Sequence, residues 1–259
     1  MSECAKIMAH LVAFNPRRDA SREVARGLVE GGCAYLEVQF PFSDPTADGP
    51  DIQRACGAAL AAGFTVDEGF RLVGEIVSAC PVPVFVMSYA NTVFTRGVKR
   101  FLAECRDHGA AGVIAPDLPL GCDEGLFEAA AAAGVAAVPV VSPSISDGRL
   151  AAVAAVNPAW LYATLRIGTT GSRDGAGAGG LELLSRIAAL PGAVRIRVLG
   201  GFGVSSAAQV AQVRSLVHAV VVGSAFVRVI ERAADPRAAV RKKMRELAGM
   251  PEPATPPTE

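Results

Sequence analysis

The sequence predicts one α/β domain folded as a (β/α)8 TIM barrel, and three observations lead there. Eight short apolar runs of strand type alternate with alanine-rich helical patterns. Successive runs are separated by more than the dozen or so residues that a parallel crossover needs. The length, 259 residues, suits a closed eight-unit barrel. A doubly wound open sheet is the competing arrangement of the same pattern.

In chain order, the first run, 7–14, precedes a helical pattern over 20–30 that closes on Glu30-Gly31-Gly32, a C-terminal capping signal. The second run, 35–39, alternates: Tyr35, Glu37 and Gln39 share one face, and Leu36 and Val38 the other, followed by Phe40. The apolar face suits packing against helices, which directs Glu37 into the barrel near its catalytic end. A helix over 66–78 leads to the third run, 82–88. A helix over 97–108 ends at His108-Gly109 before the fourth run, 112–115, and one over 125–133 ends at Ala133-Gly134 before the fifth, 136–141. Helical patterns over 148–155, 181–189 and 206–214 lead to runs 160–164, 195–199 and 219–223. No composition break divides residues 1–249, so they form one domain. Residues 250–259, rich in proline, read as a flexible tail.

Composition excludes several function classes. Lysine plus arginine and aspartate plus glutamate both number 25, which argues against bulk electrostatic binding of nucleic acid. The most apolar stretch, 129–141, is too short to span a membrane and contains Gly134 and Pro139. The N-terminus lacks the basic-then-apolar layout of a signal peptide, so a cytoplasmic location is expected. Six scattered cysteines form no C-x-x-C pair and the three histidines are far apart. Neither a zinc site nor a disulfide framework is expected.

In a barrel, function resides in the loops that follow the strands. The loops Gly200-Gly201-Phe202-Gly203 and Gly223-Ser224-Ala225 follow the last two strands, where glycines let backbone N–H groups approach an anion at helix N-termini. This pair of loops predicts phosphate binding. The long glycine-rich stretch 165–180 reads as a mobile lid over the site. Glu37 and Asp48 are the candidate chemical groups: an inward carboxylate is costly unless paired, protonated or used, and two carboxylates in different settings divide acid and base work. Asp44, beside Pro45, reads as a turn former.

The run Leu36-Glu37-Val38 followed by Pro41-Phe42-Ser43-Asp44-Pro45-Thr46-Ala47-Asp48-Gly49-Pro50 closely resembles the tryptophan synthase α subunit family. Tyr89-Ala90-Asn91, Asp117-Leu118-Pro119, Tyr162, Arg166, Thr170-Gly171, Gly201-Phe202-Gly203 and Gly223-Ser224-Ala225 continue the likeness in order over nearly the whole domain. The resemblance implies retro-aldol cleavage of indole-3-glycerol phosphate to indole and glyceraldehyde 3-phosphate, without metal or organic cofactor. It implies Glu37 as the acid/base and Asp48 as the carboxylate holding the indole N–H. Gly171, Gly203, Gly223 and Ser224 then match the phosphate site, and Tyr89, Tyr162 and Phe202 the substrate pocket. Arg166 and Thr170 match the mobile loop. Pro41, Asp44 and Pro45 match the loop that meets a β subunit, which carries its own pyridoxal phosphate.

This chain departs from the family pattern at several places. Gln39 replaces a glycine two residues past Glu37, and His10 replaces an aromatic or apolar residue facing the indole. Phe14-Asn15-Pro16 replaces Gly-Asp-Pro, Pro116 stands where a smaller residue is common, and the stretch before the first strand is too short for a helix that plugs the barrel bottom. Together these residue changes are expected to make the pocket tighter and more polar. Two alternatives follow: a related barrel lyase for a different phosphorylated substrate, or a weakly active, partner-regulating subunit.

Overall fold

From Ile7 to Ala248 strands are followed by one or two helices, apart from one strand in two parts, in a computed structural model that describes residues 4–166, 177–201 and 203–251. The elements are β1 (Ile7–Val12), α1 (Arg18–Glu30), β2 (Tyr35–Gln39), α2 (Pro50–Ala61), α3 (Val66–Ala79), β3 (Val84–Met87), α4 (Ala90–Arg96), α5 (Val98–Asp107), β4 (Gly112–Ile114) and α6 (Leu126–Ala133). They continue with β5 (Ala136–Val138), β6 (Val140–Val141), α7 (Asp147–Ala155), β7 (Trp160–Thr164), α8 (Ala178–Ala188), β8 (Arg197–Gly201), α9 (Ala207–Val213), β9 (Ala219–Val222), α10 (Ser224–Arg232) and α11 (Pro236–Ala248). No helix is long and apolar enough to cross a membrane among the described residues.

All strand pairings are parallel, in the order β5-β4-β3-β2-β1-β9-β8-β7-β6. The fifth run, expected as one strand over 136–141, is split by Pro139, which has no N–H to donate. Its carbonyl still accepts from Tyr162 N at 2.8 Å, so β5 and β6 act as two halves of one strand that closes the ring. The barrel prevails over the open sheet. The seventh run also shifts: 193–195 form a 3-10 turn, and the strand extends through Gly200 and Gly201. A Cβ on Gly201 would lie 2.3 Å from the Tyr162 hydroxyl, so the missing side chain makes room for that tyrosine.

The side-chain alternation holds. Ile7, Ala9, Leu11, Leu36, Val38 and Phe40 belong to the core between strands and helices. Met8, Phe85, Met87, Tyr162, Leu199 and Val221 pack in the barrel interior. The end opposite the loops is filled by Trp160, Tyr35 and His218. Tyr35 Oη lies 2.8 Å from His218 Nε2, and its ring meets Trp160 edge-on at 5.2 Å.

Helices α2, α4 and α11 have no counterpart among the helical patterns of the sequence, and α10 enters there only as the helix N-terminus after Gly223. Pro50 at the first turn of α2 is the signal that was present. Arg241, Lys242 and Lys243, the basic block in the sequence, lie on α11, where Lys243 Nζ meets Glu246 Oε1 at 2.7 Å. Met250 packs over Gly32, and the rest of the expected tail beyond Pro251 lies outside the described residues.

Phe14 has φ +68°, a left-handed conformation suited to glycine. Its ring is buried edge-on against Phe64 at a centroid distance of 5.3 Å. Losing a buried phenylalanine costs about 3–5 kcal/mol, more than the roughly 1–2 kcal/mol of left-handed strain, which is how the site tolerates the side chain. Phe14→Ala loses the ring and keeps the strain, whereas Phe14→Gly loses both. The glycine variant is therefore expected to be the more stable of the two by about 1 kcal/mol, read by urea denaturation. The opposite order would show that the backbone here is unstrained.

Candidate active site

A cavity opens at the C-terminal ends of the strands. Its polar lining includes His10 of β1, Glu37 of β2, Asp48 from the following loop and Tyr162 of β7; Met87, Ile114, Pro116, Val140 and Val221 supply apolar wall. The alternation that sends Leu36 and Val38 to the helices sends Glu37 inward, where it is 4% exposed.

The register of β1 against β2 sets His10 directly beside Glu37. His10 Nδ1 lies 2.6 Å from Glu37 Oε2, and both side chains are buried. Burial disfavours a charged imidazole. The Glu37 carboxylate, its hydrogen bond and the Asp48 charge outweigh this, so the His10 pKa stands above its usual value.

Asp48 follows a tight turn, its N–H donating to Pro45 O at 2.9 Å, and precedes α2. The Gln53 side chain donates to Asp48 O at 2.8 Å and pins the backbone. Gln39 Nε2 and the Tyr89 hydroxyl both donate to Asp48 Oδ2, at 2.7 and 2.8 Å. Tyr89 in turn accepts from Ala47 N at 3.1 Å. Burial raises the Asp48 pKa, against the opposing pull of His10, Gln39 and Tyr89. Tyr89 is pushed well above the ordinary phenol range by burial and by the Asp48 charge, so it remains an O–H donor. Burial, then the charges of Glu37 and Asp48, does the same to Tyr162.

Two expected pocket residues thus have a different place. Gln39 and Tyr89 are not among the cavity-lining residues; they stand behind Asp48 and hold it. Both lie on barrel-interior positions, but the Asp48 loop folds back between them and the open space.

Gly203, Gly223 and Ser224 line the other side of the cavity, with Gly203 at φ +85° and Ser224 opening α10. The sequence reading missed Arg228, which also lines the cavity. It follows Ser224 by one helical turn, and helical side chains lean toward the N-terminus, which was the available signal. Arg228 Nη1 pairs with Asp51 Oδ2 at 2.8 Å. Burial opposes the charge on Asp51, but hydrogen bonds from Arg228 and Arg54 hold its pKa below the usual range.

Asp117 accepts from Ala90 N at 2.9 and 3.1 Å and caps α4. Pro41 borders an outer groove with Phe42, Ser43, Asn91 and Thr92. Asp44 is exposed and accepts from Ser43 Oγ at 2.5 Å, and Pro45 supplies the carbonyl of the Asp48 turn. Arg166 is the last described residue before 167–176; Thr170, Gly171 and Phe202 lie outside the described residues. Among the described residues no cluster of three or more His, Cys, Asp or Glu side chains could hold a metal ion. Burial pushes the Cys33 and Cys56 thiols up to about 12, which makes them inert packing groups.

The family model described as tryptophan synthase alpha chain matches residues 2–255. The chain belongs to the tryptophan synthase alpha chain family. It is a lyase of tryptophan biosynthesis. The tryptophan synthase alpha chain of Streptomyces coelicolor is 40% identical over 224 residues, covering 86% of this chain and 82% of the relative. That of Helicobacter hepaticus is 35% identical over 234 residues, covering 87% and 85%. A solved structure of Mycobacterium tuberculosis tryptophan synthase superposes with a TM-score of 0.86 at 34% identity, over 95% of this chain and 92% of that one. A mutant tryptophan synthase alpha-subunit from Pyrococcus furiosus gives a TM-score of 0.86 at 29% identity, over 96% and 100%.

Proposed function

We propose that Glu37 and Asp48 divide the chemistry of this lyase, which cleaves indole-3-glycerol phosphate to indole and glyceraldehyde 3-phosphate. The observation that carries the assignment is the pair of buried carboxylates facing one cavity with different hydrogen-bond partners. Glu37 is the acid/base group. It supplies a proton to the ring carbon at the scissile bond and assists removal of the proton from the glycerol hydroxyl. Asp48, fixed through Oδ2 by Gln39 and Tyr89, accepts the indole N–H and stabilises the positive charge that grows there.

The substrate phosphate sits against Gly203, Gly223 and Ser224, with Arg228 as the cation at that end. The family resemblance gives Gly171 a part in phosphate binding, and gives Arg166 and Thr170 a part in covering the site. Tyr162 borders the ring, and the family resemblance gives Phe202 a pocket role as well. Pro41, Asp44 and Pro45 form the contact with a tryptophan synthase β subunit that carries pyridoxal phosphate. The likeness to the solved tryptophan synthase of M. tuberculosis supports this pairing. The chain itself uses no cofactor and acts in the cytoplasm.

The phosphate assignment is tested by inorganic phosphate and glyceraldehyde 3-phosphate in a thermal-shift titration, since a ligand of the folded state raises Tm with occupancy. Arg228→Gln is expected to weaken both by roughly ten- to a hundredfold, the worth of one charge-assisted hydrogen bond at about 1.5–3 kcal/mol. Unchanged affinity would remove Arg228 from the phosphate site.

A further inference from the structure

We propose that His10 is a second catalytic acid/base residue, whose Nε2 receives the substrate hydroxyl proton while Glu37 orients it through Nδ1. The inference rests on the lyase reading above and adds to it a residue outside the family pattern. Three observations carry it. His10 lines the cavity beside Glu37 and Asp48. Its Nδ1 is held by Glu37 at 2.6 Å, which fixes the ring and directs the imidazole's other nitrogen away from the carboxylate. That nitrogen, Nε2, is buried and has no hydrogen-bond partner among the described residues, in a residue only 4% exposed. A buried polar atom left unpaired costs free energy, and a substrate hydroxyl at the cavity wall would satisfy it.

A carboxylate behind one imidazole nitrogen with the other aimed at substrate is a general-base arrangement. The groups that face His10 are Glu37 from β2, Asp48 and Gln39 around the loop, Tyr162 from β7, and Gly223, whose Cβ position lies 3.2 Å from His10 Cδ2. The Gln39 side chain also favours the charged ring, while neither its Oε1 nor His10 Nε2 has a hydrogen-bond partner among the described residues. Tyr162 stays neutral, so the balance of charge around the imidazole is negative and stabilises the imidazolium that forms.

The step balances. Glu37 supplies a proton to the ring carbon at the scissile bond. The hydroxyl O–H then gives its proton to His10 Nε2 as the carbon–carbon bond breaks. The O–H electron pair forms the aldehyde carbonyl, and the electrons of the broken bond return to the ring, neutralising the charge beside Asp48. One proton leaves the His10–Glu37 pair and one enters, so the pair ends each turnover with the number of protons it began with.

The test is the pH dependence of kcat for indole release by wild type, His10→Gln and His10→Asn, each checked for folding by its thermal transition. Both variants are expected to lose at least a hundredfold in kcat, within the range of general acid–base catalysis, with KM changed less than fivefold. The limb of the wild-type profile that belongs to the imidazole is expected to vanish. As a measurement independent of turnover, the His10 ring is followed by NMR titration, and its pKa is expected to fall in Glu37→Gln. Active wild type with variants that keep kcat within threefold and the same pH profile would overturn the role of His10 alone, leaving Glu37 as the sole acid/base. Wild type that releases no indole would overturn the lyase reading and this inference together.

Discussion

Glu37→Gln is expected to lower kcat by about 10²–10⁴ while leaving phosphate affinity within a fewfold of wild type. The substitution is nearly isosteric, and a glutamine oxygen can still accept from His10 Nδ1, so the 2.6 Å contact survives in neutral form. What is lost is the capacity to hold and release a proton, together with the negative charge that raises the His10 pKa. Both losses fall on the chemical step. The glycine and serine positions of the phosphate site follow β8 and β9 and open α10, on strands that β1 separates from β2 in the sheet order. Single-turnover kinetics and a phosphate titration separate the two effects. A fall in phosphate affinity equal to the fall in kcat would mean that Glu37 shapes the cavity rather than performing the reaction.

Asp48→Asn is expected to cost about 10²–10³ in kcat, the range for removing one preorganised electrostatic group, and at the same time to stabilise the fold. Gln39 and Tyr89 donate to Oδ2, and an amide oxygen accepts both bonds equally. Burial raises the Asp48 pKa in the folded chain above its unfolded value. The folded state therefore binds the proton more tightly than the unfolded one. Stability associated with that proton is present below the ordinary carboxylate pKa and is lost as pH rises through the folded value. Asparagine has no such dependence, so the variant gains on wild type as pH rises through that window and keeps the gain at neutral pH. Urea denaturation at pH 4 and pH 8 measures it. An advantage that grew toward acid would contradict the direction of the Asp48 shift.

Much of this was readable from the residues because it rests on periodicity. The two-residue alternation of 35–39 places Glu37 on the inner face, and the repeated strand-turn-helix pattern gives a parallel α/β fold whose eight units suit a barrel. The loop glycines before α10 place an anion site where strands end. The contacts between distant segments were less legible. His10 was expected in the pocket, but its bond to Glu37 depends on the register of β1 against β2, which no local pattern encodes. Gln39 and Tyr89 have the right inward positions, yet the proline-bounded loop carrying Asp48 folds over them and turns both from pocket wall into its support. Arg228 escaped notice because only the N-terminus of the helix after Gly223 enters the sequence argument, although Arg228 lies one turn past Ser224 on that helix. Phe14 shows the opposite case: a glycine position in the family pattern is filled by a phenylalanine whose buried ring outweighs its backbone strain.

The central claim is that this cavity cleaves indole-3-glycerol phosphate through Glu37. The most direct measurement incubates the purified chain with that substrate, with and without a β subunit, and quantifies indole and glyceraldehyde 3-phosphate for wild type and Glu37→Gln. The account predicts equal amounts of the two products from wild type and at least a hundredfold less from the variant. Folded wild type that yields no indole under either condition, or a variant that retains a tenth or more of the rate, would contradict it.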